Sequence, residues 1–495
     1  MRLEEQKLAG HFRFCENDYR YPVKHDIHYG NNEDGFRGEL TIKEDGSLLL
    51  ELEGLGYGRL FSILHRRKIL KFPRIAGETS QGRYYIILLD CYFGKSLGGN
   101  LKLYPKICLI QSSSRGEQGE GWYIFGPDDP VEFDKIRFCM DGIEGFALPD
   151  LEGVKKATPI YDKIEFHQYG YAKKLKIEWD EPEPLEFKTK HFTFKIELKA
   201  RMEWSGTIKP KAYCVLELSK PLPAKNCIKK VEAIKYFFGF LFDKRIGITN
   251  VYGYLTGHEK ELLIDDSYNE KRERISGEVI KCPAYWNLFY EGDEWEEEYN
   301  EYPHTRYQNF KKDGESLLGK YLESFIEKYE TDEAFQIFFE KYIYRFLPAL
   351  AIDRLKSVAD DCEYLFHKYN DSLPEGERLK GGKNIKDKSG VVVWKKRPVE
   401  KWKQIRLLAK PLIGCIFDND TDCVDFGKEV KKYRNARGVT HFDGEEIDFS
   451  NLNKLSRKLT VIAKFHFLNL LHQDDELNRK FAKESKYYWI GPDRA

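Results

Sequence analysis

The sequence predicts an α+β protein in which a β-rich N-terminal region precedes a C-terminal helical bundle. Residues 10 to about 220 alternate apolar and polar side chains, with Gly, Asp and Asn at the breaks, as strands do. From about Glu315 the apolar residues recur at helical spacing instead. A chain of 495 residues also exceeds what one hydrophobic core holds, so we expect two or three domains.

Short apolar or alternating segments mark the strands of the N-terminal region. They are 48–52, 83–89, 106–110 and 192–198. The segment 229–242 then has the spacing of a helix, and 246–255 returns to a strand pattern. We expect a β-rich sensor or regulatory domain over residues 1–270, built either as one body or as two lobes that meet near residue 150.

Apolar residues three and four apart predict the helices of the C-terminal region. These helices are expected at 317–326, 335–369 with a break near Pro348, 402–417, 424–439 and 452–471. The acidic, aromatic segment 290–299 precedes them and is either a solvated linker or an element that docks on a basic surface. We therefore expect an acidic linker at 271–314 and a helical domain at 315–495.

Composition and charge narrow the function classes. The net charge is zero, but from Leu373 onward 26 Lys and Arg stand against 18 Asp and Glu, an excess that either attracts a polyanion or arises by chance. No apolar leader follows Met1 and no apolar run could span a bilayer, so we expect a cytoplasmic protein without membrane contact. Ten cysteines without a C-x-x-C pair indicate neither a zinc nor a redox site, and no metal or cofactor is expected.

The segment 433–441 holds the most informative residues of the chain. Arg434 and His441 are seven residues apart, almost two helical turns, so a continuous helix places both on one face. Arginine binds phosphate oxygens and histidine moves a proton near neutral pH, which together allow phosphodiester cleavage without a metal. Gly438, which has no side chain, either leaves space between Arg434 and His441 or ends the helix. Both alternatives keep His441 close to Arg434.

Other residues extend or limit this candidate site. Arg437 projects near the same face and makes either a phosphate contact or a solvent ion pair. The stretch 374–398 is expected to be a mobile basic loop that either contacts RNA or is ordinary surface. Its candidate RNA-binding residues, here called the basic segment, are Lys383, Lys386 and Lys388. His466 lies on the apolar stripe of the last predicted helix, where we expect a core histidine whose hydrogen-bonding groups have partners.

Two parts of the chain resemble known families. Arg434, Asn435 and His441 are similar to the R-N-x(n)-H signature of HEPN ribonucleases, in which four to six residues separate arginine from histidine. The N-terminal segments 11–12 and 38–46 resemble the N-terminal domain of ApeA-like anti-phage abortive-infection proteins, whose C-terminal domain is HEPN. In layout the likeness extends over nearly the whole chain.

The resemblance implies a metal-independent endoribonuclease that acts in anti-phage abortive infection under control of its N-terminal domain. It also implies a homodimer in which two motif helices form one cleft across a two-fold axis. Arg434 would stabilise charge on the phosphorane, His441 would act as general base or acid, and Asn435 would order the arginine and the partner subunit. The products would carry a 2′,3′-cyclic phosphate and a 5′-hydroxyl.

The implied partners are RNA, with tRNA or mRNA as the substrate classes, and a phage-derived protein trigger. One alternative is a non-catalytic RNA-binding or dimerisation protein that uses the same helical domain. Another, suggested by the aromatic content of 15%, is a carbohydrate-binding β-domain with a helical adaptor, in which Arg434 and His441 would have no role.

Overall fold

The computed structural model divides the chain into two compact units. The β-rich unit comprises Met1–Asp141, Ala157–Val231 and Gly247–Tyr299, and the helical unit comprises Gly142–Lys156, Glu232–Ile246 and Asn300–Ala495. The residues that the structure describes are 4–14, 36–53, 71–80, 84–94, 100–112, 130–147, 160–166, 172–178, 183–202, 208–264, 278–290, 310–312, 315–343, 350–381, 383–386, 392–395, 398–435 and 448–485. The predicted α+β class is confirmed, because strands dominate one unit and helices the other.

Antiparallel strands build the β-rich unit. They are β1 (Gln6–Phe14), β2 (Phe36–Ile42), β3 (Leu48–Leu52), β4 (Lys71–Thr79), β5 (Tyr84–Phe93), β6 (Leu101–Tyr104), β7 (Ile107–Ser112), β8 (Glu132–Met140), β9 (Ile160–Phe166), β10 (Ala172–Glu178), β11 (Leu185–Lys188), β12 (Phe192–Met202), β13 (Ile208–Pro223), β14 (Ile248–Ile264) and β15 (Glu278–Tyr290). The strands expected from the apolar segments are all present, although most of them begin or end at different residues.

Six of these strands close into a barrel. The pairing runs β1-β2-β3-β6-β5-β4 and returns to β1, so β5 pairs with both β4 and β6. The period of two is visible in β3, where Leu48, Leu50 and Leu52 are buried and the residues between them are partly exposed. The leucines therefore fill the core of the barrel.

A long sheet continues from the barrel strand β5 in the order β7-β15-β14-β8-β13-β12-β11. Phe194, Leu216 and Ile136 lie side by side across three strands and are buried. Ile136 pairs in turn with Gly253, where a Cβ atom would lie 2.7 Å from the Phe133 ring. Glycine is therefore required there for the aromatic ring to cover the buried face of the sheet.

Helices form most of the helical unit. They are α1 (Ile143–Ala147), α2 (Ala224–Phe242), α3 (Leu318–Thr331), α4 (Glu333–Lys341), α5 (Ala351–Ser372), α6 (Lys401–Ala409), α7 (Asp420–Asn435), α8 (Phe449–Leu471) and α9 (Asp475–Glu484). The short strand pairs are β16 (Lys311–Lys312) with β17 (Glu315–Ser316) and β18 (Lys383–Lys386) with β19 (Val392–Lys395). Residues 224–231 of α2 belong to the β-rich unit and 232–242 to the helical unit.

Aromatic rings fill the core of the helical unit. The Phe467 ring on α8 contacts those of Phe240, Phe335 and Phe339, with centroids 5.0–5.4 Å apart. Such pairs add to the apolar area that each phenylalanine buries. Among the helices described, none is both long enough and apolar enough to cross a membrane.

A buried ion pair lies within the same core. The Lys464 ammonium on α8 is 2.9 Å from the Asp243 carboxylate just after α2, and both side chains are almost fully buried. Ser485 donates a hydrogen bond of 2.7 Å to Asp243, and the Leu241 carbonyl accepts one of 3.0 Å from Lys464. These partners compensate the charges, without which their burial would cost several kcal/mol.

Candidate active site

Helix α7 carries the arginine of the predicted motif near its last described turn. The Asn419 side chain accepts a hydrogen bond of 3.1 Å from the Asp422 amide, which caps the N-terminal end. Asp420 and Asp422 lie in the first turn, and Lys432 and Arg434 lie in the last. Each of these charges therefore interacts favourably with the helix dipole. The buried face of the helix consists of Cys423, Phe426, Gly427, Val430 and Tyr433. Arg434 thus lies next to the apolar stripe rather than on it.

Close packing against α6 holds α7 in place. A Cβ atom at Gly427 would lie 2.6 Å from the Trp402 carbonyl oxygen, so only glycine allows this approach. Arg406 on α6 makes a salt bridge with Asp420 at the start of α7, and its hydrogen bond lowers the pKa of Asp420. The helix is therefore fixed near both of these positions.

Arg434 binds a carboxylate on a neighbouring helix. Its Nε donates a hydrogen bond to Asp360 Oδ1 on α5, and one terminal nitrogen donates to Asn435 Oδ1 at 3.4 Å. The Arg434 and Asp360 side chains are 34% and 54% exposed, so solvent still reaches the pair. The arrangement orients a guanidinium at the surface of the bundle.

The described residues leave most of the N–H groups at the outer edge of the Arg434 guanidinium without a partner. An arginine carries five N–H groups, and within the part of the chain that the structure describes only two of them have partners. The three remaining N–H groups lie on the two terminal nitrogens, the edge that binds phosphate oxygens in pairs. Asp360 therefore orients the arginine without blocking its phosphate-binding edge.

Further charges surround this arginine. Lys401 at the start of α6 lies 3.4 Å from Glu363 and donates to the Asp360 carbonyl oxygen at 3.5 Å. On α7, Lys431 lies 3.7 Å from Glu400. A hydrogen bond from the Trp402 indole lowers the pKa of Glu400, so this carboxylate remains ionised. Most acidic groups here are thus paired with a cation, which limits their repulsion of a phosphate.

The structure describes only part of the predicted motif. Arg434 and Asn435 are adjacent at the end of the described part of α7 and contact each other. Arg437, Gly438 and His441 lie outside the described residues. The proximity of His441 to Arg434, and the role of Gly438, therefore stay predictions.

The basic segment was expected in a mobile loop, and for two of its lysines that expectation is wrong. Lys383 and Lys386 begin and end strand β18, which pairs with β19 in an antiparallel hairpin. The signal was present in 391–394, a run of three valines and a tryptophan that favours a strand. Lys388 lies outside the described residues.

His466 is a core histidine, as predicted. Its side chain is 2% exposed, and its Nε2 lies 2.7 Å from the Leu408 carbonyl oxygen. Burial lowers its pKa from 6.5 to about 4, so the ring is neutral at pH 7 and donates this hydrogen bond. His466 therefore takes part in packing.

One site residue was not predicted from the sequence. Asp360 lies 74 residues before Arg434, and no local motif links the two. A weaker signal was available, since Asp360, Glu363 and His367 have the spacing of one helical face on α5. Three polar groups on one face of a helix whose other face is apolar predict that this face is exposed to solvent.

Comparison with known proteins identifies the family. Residues 24–321, more than half of the chain, match the family model described as ApeA N-terminal domain 1. No curated protein and no solved structure matches the chain. The match lies mostly in the β-rich unit and ends within α3. The chain therefore belongs to the ApeA-like family of anti-phage defence proteins.

Proposed function

We propose that this protein is a metal-independent endoribonuclease of the HEPN type that acts in anti-phage abortive infection. The observation that carries the proposal is the set of contacts that the Arg434 guanidinium makes. Asp360 and Asn435 hold its guanidinium at the surface, and no other described residue binds the edge that would bind a phosphate. The family membership supports the defence role.

The reaction that fits these residues is an internal transesterification of RNA. The ribose 2′-oxygen attacks the adjacent phosphorus, and the bond from phosphorus to the 5′-oxygen breaks. Arg434 stabilises the negative charge that develops on the phosphate oxygens. His441 serves as general base or acid, and the products carry a 2′,3′-cyclic phosphate and a 5′-hydroxyl.

The proposed active form is a homodimer. The motif segment of each protomer would line one half of a shared cleft around Gly438. Asn435, which already contacts Arg434, would keep the arginine ordered as the second protomer approaches. The β-rich unit would hold the nuclease inactive until it binds a phage-derived protein.

Induced expression tests the proposal. Wild type, His441→Ala and Arg434→Ala are expressed in parallel at equal protein levels, and total RNA is examined for cleavage. We expect fragments only from the wild type. A protein that binds RNA and leaves it intact would instead be the non-catalytic RNA-binding module, and the proposal would fail.

A further inference from the structure

A cavity of about 510 Å³ lies in the β-rich unit, between the barrel strands β1 and β5 and the long-sheet strands β7, β14 and β15. Its polar and aromatic lining residues include Gln6 and Lys7 of β1, Tyr84 of β5, Asn250 of β14 and Asn287 of β15. Ligand pockets have this size and recur at the mouths of barrels. The proposed cleavage chemistry does not use this cavity.

Three amide side chains line the cavity. Gln6, Asn250 and Asn287 each carry both donor and acceptor groups. The Asn287 amide nitrogen donates to the Ile110 carbonyl oxygen at 3.4 Å, and no described residue donates to its side-chain oxygen. Asn250 has a left-handed backbone with a φ of 52°, at an irregularity in the pairing of β14 with β8. Irregular, strained positions of this kind often aim a side chain at a functional site.

Tyrosines continue from the cavity across the same face of the sheet. Asn287 pairs with Tyr252 on β14. Tyr254 pairs with Tyr285 one alternation further along, so these side chains share the face of Asn287. The Tyr285 ring is 5.3 Å from that of Tyr252 and 6.0 Å from that of Tyr254 between centroids, and Tyr285 is 41% exposed. The face therefore offers aromatic rings on which flat groups can stack.

Cations border the tyrosines and the cavity. Arg137 on β8 pairs with Tyr252, and its guanidinium carbon lies 3.7 Å from the ring centroid of Tyr213 on β13. Lys211 Nζ lies 5.7 Å from the centroid of the same ring. Lys7 lines the cavity, and no carboxylate belongs to the described lining. The site therefore favours a ligand that combines flat rings with negative charge.

The carboxylates further along this face do not reverse that preference. Glu217 lies 2.7 Å from Lys195 and 3.4 Å from Lys135, so lysines neutralise it. Glu197 pairs with Tyr213 across β12 and β13, where it is one negative charge beside the two cations that contact that ring. The potential over the tyrosines thus stays positive.

We propose that this face of the β-rich unit binds single-stranded nucleic acid, with one base in the cavity. Every base has a flat face that stacks on an aromatic ring, and its edge carries donors and acceptors that amide groups match. The phosphates lie against Arg137, Lys211 and Lys7. Three strand spacings, about 14 Å, separate β15 from β13, so the face accepts more than a single base. A carbohydrate would also stack on the tyrosines, but it gives the cations no partner.

Binding of a labelled oligonucleotide to the full-length protein tests the inference. The probe is a 2′-O-methyl RNA of about 12 nucleotides, which has no free 2′-hydroxyl and cannot be cut by the proposed reaction. We expect Tyr84→Ala and Tyr285→Ala each to weaken binding about tenfold through lost stacking. Asn250→Gly removes an amide yet permits the left-handed backbone, and should weaken binding about fivefold. Arg137→Met should reduce the log–log salt slope by about 0.7.

Two control variants make the result specific to this face. Tyr104→Ala removes an exposed tyrosine from β6, which lies outside the face, and should bind the probe as the wild type does. Arg434→Ala changes the proposed active site and should lose less affinity than Tyr285→Ala. The midpoint of thermal unfolding of each variant shows whether it is folded.

The outcomes separate this inference from the proposed function. If the variants of the face bind the probe as the wild type does while Arg434→Ala does not bind it, the helical unit holds the nucleic acid and the inference is wrong. A wild type that binds an oligosaccharide but not the probe has a carbohydrate site here, which also overturns the inference. A wild type that binds the probe through this face but cuts no RNA overturns the proposed function and leaves the inference standing.

Discussion

Replacing Asp360 with asparagine separates the orienting role of this residue from any role in stability. Asparagine keeps the size of the side chain and can still accept one hydrogen bond, but it removes the charge that faces Arg434. We expect the guanidinium to sample several orientations in Asp360→Asn. Fewer of these orientations would present its open edge to a phosphate.

The structure sets the size of the effect. A hydrogen bond to a charged group contributes about 1.5–3 kcal/mol, but Asp360 is 54% exposed, and solvent screening reduces this to about 1 kcal/mol. Since 1.36 kcal/mol corresponds to tenfold in rate, cleavage should fall roughly fivefold. The same energy should lower the midpoint of thermal unfolding by no more than about 4 °C.

The assay compares initial rates of RNA cleavage at equal protein concentration with the thermal midpoint of each variant. Asp361→Asn is the matched control, because it removes the neighbouring carboxylate, whose partner is Lys341 on α4. Equal rates for wild type and Asp360→Asn would refute an orienting role. A faster Asp360→Asn would show that the carboxylate competes with phosphate for Arg434.

Three further predictions concern binding, pH and assembly. Neutralising all three lysines of the basic segment should weaken RNA binding and reduce its log–log salt slope by about one unit for each phosphate that the protein no longer neutralises. The free energy of unfolding of the helical unit should fall as the pH is lowered from about 6.5 to 4. In this range His466 takes up a proton in the unfolded chain but stays neutral in the folded one, where it is buried. The decrease should approach roughly 3 kcal/mol, and His466→Leu should remove it in urea titrations. Gly438→Leu should reduce cleavage without unfolding the bundle, and mixed Arg434→Ala and His441→Ala protomers should regain activity.

Each of these predictions has an outcome that contradicts it. An unchanged salt dependence of RNA binding would show that the basic segment is ordinary surface and does not contact RNA. A pH dependence that persists in His466→Leu would assign the acid sensitivity to other groups. Full activity of a strictly monomeric preparation, or no recovery on mixing protomers, would place the catalytic groups within one chain.

Periodicity predicted the elements of the fold well, because burial imposes it directly. The leucines of β3 alternate between core and surface, and the apolar positions of α3 and α8 lie on the faces that pack. Helix boundaries were less accurate. The helix expected at 402–417 ends at Ala409 and gives way to a 3₁₀ turn, since Pro411 lacks the amide proton that a continuing helix needs.

The closure of the barrel and the contacts of Arg434 could not be predicted from the sequence. Closure depends on the pairing of β5 with β6, in which Tyr92 and Phe93 of β5 pair with Tyr104 and Leu103 of β6, and no local pattern marks that pairing. The contact between Arg434 and Asp360 joins two helices far apart in the chain, and only their packing brings the side chains together. Local patterns identify which residues can act, and tertiary packing decides which of them meet.

The most direct test of the central claim is the chemistry of the RNA ends produced by purified protein in EDTA. Wild type, Arg434→Ala and His441→Ala are incubated with RNA under identical conditions, and the fragments are examined for terminal groups. We expect the wild type to yield 2′,3′-cyclic phosphates and 5′-hydroxyls, and each variant to cut about 10²- to 10⁴-fold more slowly. Cleavage that requires a divalent metal, leaves 5′-phosphates, or persists at the wild-type rate in either variant would contradict the account.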